Sequence, residues 1–81
     1  MKRNSEEKII ARGLKSPGPV LLVKKQLPGI EARFLRVIVS DDESKEELIE
    51  FFVKHGCSCE TDMAGNDIHV ITDLSKFKDV D

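Results

Sequence analysis

The chain has 81 residues, of which 40% are hydrophobic and 35% charged, and a formal net charge of −2. That leaves room for one small domain with a modest core, and no apolar run approaches the roughly 20 residues that cross a bilayer. The opening MKRNSEEKII is basic at its start but acidic where a signal peptide needs a greasy core, so a cytoplasmic address away from membranes is expected. The charge is unevenly spread. Residues 1–30 carry seven Lys/Arg against two Glu, a formal +5, and residues 31–81 carry six against thirteen Asp/Glu, a formal −7. Such a dipolar surface suits the steering of a protein partner. All four aromatics are Phe in mainly apolar surroundings, with no Tyr or Trp to stack a base, so direct nucleic-acid binding is not expected.

Residues 1–7 are polar and are expected to form a flexible N-terminus. A short strand follows over residues 8–12, centred on Ile9 and Ile10 and closed by Gly13. Pro17 suits the first helical position, where its missing N–H costs nothing, which makes Ser16 the expected N-cap. Pro19 also falls in the first turn. Val20, Val23 and Leu27 recur at helical spacing beside Lys24 and Lys25, and the Leu27, Pro28, Gly29 sequence ends the helix. FLRVIVS, residues 34–40, alternates as a strand, with Leu35, Val37 and Val39 on one face and Phe34, Arg36 and Ile38 on the other. Ser44 with Glu47 three residues on reads as a capping box for a second helix. Its stripe is Leu48, Ile49, Phe52 and Val53, and Gly56 suits its C-terminal stop.

Residues 57–61 read as a short strand, residues 64–67 as a turn, and residues 68–72 as the last strand. The order β-α-β-α-β-β predicts an α/β (α+β) two-layer sandwich, a four-stranded mixed sheet with two helices on one face. The domain is expected over residues 8–72. In the acidic tail, residues 73–81, Leu74 and Phe77 either close a turn over the sheet edge or stay loose.

The chain has no glycine-rich phosphate cradle of either the GxGxxG or the GxxxxGK[ST] type, and neither a metal nor another cofactor is expected. Asp41, Asp42 and Glu43 fit the start of a helix, which attracts acids without any ligand. Cys57 and Cys59 are too close in sequence for a relaxed disulfide. They read as thiols facing the core, with a reactive exposed thiol as the alternative. His69 reads as an exposed strand residue. A cysteine at position 16 would be activated by the helix N-terminus, whereas a serine hydroxyl there needs an adjacent base, and the stretch LKSPGP contains none.

The stretch ARGLKSPGPVLLVKKQL resembles the opening signature of the TusA/SirA/YedF family of small sulfur carriers, an RG-x-x-C-P-x-P motif between the first strand and first helix. Arg12, Gly13, Pro17 and Pro19 match it. Ser16 stands at the motif cysteine, and Ile10 stands where the family commonly has an acidic residue. The resemblance covers about residues 8–72 and includes the element order. It implies persulfide relay, as in tRNA thiolation, with sulfur received from a protein donor such as a cysteine desulfurase and passed to an acceptor. A monomer is expected, with Arg12, Gly13, Pro17, Pro19, Lys24 and Lys25 at its partner-binding edge. With Ser16 in the catalytic place the relay is expected to be inactive or altered, and a non-catalytic binding or regulatory module of the same fold is the alternative. Transfer of the sulfur role to Cys57 or Cys59 is disfavoured, because neither stands at a helix N-terminus.

Overall fold

The computed structural model describes residues 3–78. Four strands and two helices follow in the order β1 (Arg3–Ile10), α1 (Gly18–Gln26), β2 (Ala32–Val39), α2 (Asp42–Lys54), β3 (Cys59–Ala64) and β4 (Asp67–Asp73), with short 3-10 turns after α1 and after β4. The sheet order is β1-β2-β4-β3. β1 runs parallel to β2, whereas β2 with β4 and β3 with β4 are antiparallel, so the sheet is mixed. Both parallel strands lead into a helix, which sets the two helix N-termini at the same end of the sheet.

Alternation decides which face the helices cover. Leu35, Val37 and Val39 from β2 join Ile68 and Val70 from β4, Ile9 from β1, Val23 from α1, and Leu48 and Phe52 from α2 in one core. This single layer of contact is the two-layer α+β sandwich that the residue pattern predicts. On the opposite face, Ile38 is only 4% exposed. It lies in a cross-strand row between Ile10 and His69, and its neighbours shield it from the sides.

Several boundaries differ from the sequence reading. The strand expected over 8–12 begins at Arg3, so the described part of the expected flexible segment 1–7 is paired strand. Its side chains from Ser5 to Lys8 are exposed, which hides an edge strand from hydrophobic patterning. Residues 1 and 2 lie outside the described residues.

Neither serine is the cap that its local pattern suggests. The N-cap of α1 is Pro17, with no side-chain cap bond. The N-cap of α2 is Asp41, whose carboxylate accepts the Ser44 N–H at 3.1 Å. β2 ends at Val39, the Ser40 hydroxyl is taken by the Gly13 N–H, and Asp41, three before Ser44, supplies the cap. Ser44 itself is buried, and its hydroxyl has no hydrogen-bond partner among the described residues.

Gly56 does end α2, with φ +90° in the left-handed region. The third strand starts at Cys59 rather than Cys57 and runs to Ala64, and the fourth extends one residue beyond 68–72 at each end. The tail assigned to 73–81 closes over the end of α2. Leu74 is buried, Phe77 stacks on the His55 ring at 4.6 Å, and His55 Nδ1 donates to the Lys78 carbonyl. Residues 79–81 of that tail lie outside the described residues.

Candidate functional site

The loop between β1 and α1 is fixed from outside. Ala11 continues the parallel pairing by donating to the Ile38 carbonyl at 2.8 Å. Gly13 then takes φ +85°, a conformation that side chains oppose, and donates its N–H to Ser40 Oγ at 2.9 Å. Arg12 Nε donates to Asp67 Oδ2 at 3.1 Å, which ties the loop to the start of β4. Two turns close the remainder, Leu14 N–H to the Ala11 carbonyl and Gly18 N–H to the Lys15 carbonyl. The Ser16-Pro17 peptide bond is cis.

This frame places Ser16 half-buried at the entry to α1, with a hydroxyl that makes no cap bond. Of the first three helical amides, Gly18 is engaged by Lys15 and Pro19 has no N–H, so the anion-binding capacity of this helix start is reduced. Neither histidine serves Ser16 as a base. His55 lies at the opposite end of α2, bonded to Lys78. His69 lies on the open face of the sheet, where its Nδ1 accepts from Arg36 Nη1 at 2.8 Å. A guanidinium does not give up its proton, so in this bond the proton of His69 stays on Nε2.

The residues expected at the partner edge divide. Arg12, Gly13, Pro17, Lys24 and Lys25 are exposed, whereas Pro19 is buried and supports the turn from inside. Lys24 and Lys25 stand in the last turn of α1, about 10 Å along the axis from its first residue, Gly18, at about 1.5 Å per residue, and Lys24 Nζ sits 5.5 Å from the Phe51 ring centre. Sequence reasoning missed Ser40 and Asp67, which hold the loop, and Leu14 and Leu21, both large, apolar and exposed beside it. For Asp67 the only signal was its place beside the hairpin turn at Gly65, which has φ +65°.

The thiols separate as well. Cys57 is 3% exposed and lies in the core cluster, and Cys59 is half-buried at the start of β3. Burial pushes both thiols above the ordinary cysteine range, opposed in part by the Thr72 hydroxyl. For Cys57 the Asp73 charge adds to the rise. Both remain protonated near neutral pH, and a protonated thiol is a poor nucleophile. Among the described residues, no group of three or more His, Cys, Asp or Glu is arranged to hold a metal ion, and no helix is long and apolar enough to cross a membrane.

The order of elements, the mixed sheet and the helices on one face define a SirA/TusA-like fold, in agreement with the resemblance carried by residues 8–72. The crystal structure of a SirA-like protein from Desulfitobacterium hafniense superimposes with a TM-score of 0.71 at 26% identity, covering 82% of this chain and 93% of that one. No protein-family model matches the chain, and no curated protein matches it.

Proposed function

We propose that this is a protein of the sulfur-carrier fold that relays no sulfur and acts by docking. It binds a protein donor or acceptor of a persulfide pathway, of the cysteine desulfurase class, through the edge formed by residues 12–19 and the basic end of α1. One observation supports this reading: Ser16, which matches the motif cysteine by resemblance, enters α1 half-buried with no base bonded to its hydroxyl among the described residues.

In persulfide transfer a thiolate attacks the outer sulfur of the donor. A new S–S bond forms as the donor's S–S bond breaks, and the donor leaves as its own thiolate. Ser16 offers no thiolate, and a hydroxyl without an adjacent base is a weak nucleophile. Cys57 and Cys59 do not substitute for it, because burial holds both in the thiol form.

Docking needs none of this chemistry. Arg12, Lys15 and Pro17 lie exposed on a loop fixed at Ser40 and Asp67. Leu14 and Leu21 add exposed apolar surface beside them, the composition of a small anchored interface with a polar rim. A loop that is already ordered spends little entropy on binding.

Titration of a cysteine desulfurase with the protein tests this. The wild type and Ser16→Cys should bind alike, while Arg12→Glu combined with Lys15→Glu should weaken binding at least tenfold. Failure of both the wild type and Ser16→Cys to bind would remove the desulfurase class as the partner.

A further inference from the structure

The face of the sheet away from the helices has its own charge pattern. Register places Lys8 beside Arg36, Arg36 beside Ile71 and Ile71 beside Glu60 in one row across all four strands. The next row holds Ile10, Ile38, His69 and Asp62. Lys8 and Arg36 stand on the β1 and β2 half, with Glu6 bonded to Arg36 at 3.1 Å. Glu60 and Asp62 stand on the β3 edge, and both are exposed. One half is therefore net positive and the other net negative, with Ile10, Phe34, Ile38 and Ile71 spread between them.

Arg36 is held in place from two sides. Glu6 takes its Nε and His69 takes its Nη1, so the longest side chain of the face is fixed before any contact is made. Ile10 is 57% exposed at the end of β1 and has no cover among the described residues.

We propose that this face is a self-association surface on which two copies stack sheet against sheet. The two-fold axis runs parallel to the strands, between β2 and β4. That axis maps each cross-strand row onto the same row of the second copy and reverses its direction. Lys8 then faces the second copy's Glu60, and the second copy's Lys8 faces Glu60, so the symmetry forms the same contact twice. Arg36 lies over Ile71, its stem on apolar surface and its charge already paired with Glu6. The other in-plane axis, across the strands, would set β1 on β1 and β3 on β3 and oppose like charges. The Lys8 and Glu60 charges thus favour this axis over the alternative.

Strands about 4.8 Å apart with a rise of about 3.3 Å per residue give on the order of 500 Å² per copy. That is small for a stable interface, so the association is rapid and reversible and appears at high-micromolar concentration. It goes beyond the monomer expected from the sequence. It also uses the opposite layer from the α1 edge, so docking and self-association stand or fall separately.

Sedimentation equilibrium of the full chain from micromolar to millimolar concentration tests the proposal. The apparent mass should rise from 9.1 kDa toward twice that value and fall back as salt is added. Lys8→Glu alone and Glu60→Lys alone should each weaken association at least tenfold, because each opposes like charges at both contacts. An equal mixture of the two variants should restore it, since both contacts are then between opposite charges. Both positions are exposed, and far-UV circular dichroism checks that each variant keeps the fold. A wild-type mass that stays at the monomer value at the highest concentration would overturn the proposal. So would a mixture that associates no better than the separate variants.

Discussion

The two helices begin at the same end of the sheet and are started in opposite ways. At α2, Asp41 caps the Ser44 amide, and Asp42 and Glu43 stand in the first turn, where the helix dipole favours acids. At α1, Pro17 caps nothing, the first turn has no acid, and the polar groups of the loop are used elsewhere. Gly13 goes to Ser40 and Arg12 to Asp67. A helix start that satisfies itself is a stability device. A helix start held by distant elements leaves its central side chain, Ser16, without a cap bond among the described residues.

Mutations should divide along this line, and the largest effect should come from the packed body of α2. Phe52 is fully buried, so Phe52→Ala should cost about 3–5 kcal/mol, enough to leave a domain of this size mostly unfolded. Leu21→Ala on the exposed side of α1 should change stability by no more than about 0.5 kcal/mol. Chemical denaturation of both variants measures the contrast, and equal losses would break it.

The cap comes next. Asp41→Ala should lower the denaturation midpoint clearly, by less than the Phe52 change. Ser44, whose N–H it accepts at 3.1 Å, holds the Asp41 carboxyl below its ordinary value, so the folded pKa lies under the unfolded one. The stabilisation is therefore complete above the unfolded value near pH 4 and is lost as pH falls through the folded value. Asp73 follows the same sign. Its bonds to Arg33 and Ser75 hold it well below the usual carboxylate range. Acid titration of the wild type should show stability falling below about pH 4, with a shallower fall in Asp41→Ala. A wild type whose stability is flat there would contradict both assignments.

The two serines should show the smallest effects. Ser44→Ala removes a buried hydroxyl that has no hydrogen-bond partner among the described residues, so stability should hold or rise slightly. Ser16→Ala should stay within about 0.5 kcal/mol, whereas a true N-cap would cost roughly 0.5–2 kcal/mol. A cap-sized loss at Ser16 together with none at Asp41 would invert the comparison.

The same comparison shows what the sequence made legible. Periodicity gave FLRVIVS its faces and placed Leu48 and Phe52 in the core, because burial imposes a period that a single strand or helix must follow. Gly56 was legible because a left-handed stop favours glycine. The caps were misassigned because a local pattern such as Ser44 with Glu47 is read without knowing where the preceding strand ends. β1 was cut short because an exposed edge strand carries little hydrophobic signal. Within the candidate site, Arg12, Gly13 and Ser16 were legible from the motif. Ser40 and Asp67 were not, since their roles exist only after β2 and β4 have brought distant segments to the same end of the sheet.

The proposed docking role rests on Ser16 standing, by resemblance, where a carrier has its cysteine. Intact-mass spectrometry of the wild type and Ser16→Cys, each incubated with a cysteine desulfurase and cysteine, tests this most directly. The account predicts one added sulfur, about 32 Da, on Ser16→Cys and none on the wild type, with peptide mapping placing it at position 16. An equal gain on the wild type, mapped to Cys57 or Cys59, would contradict it.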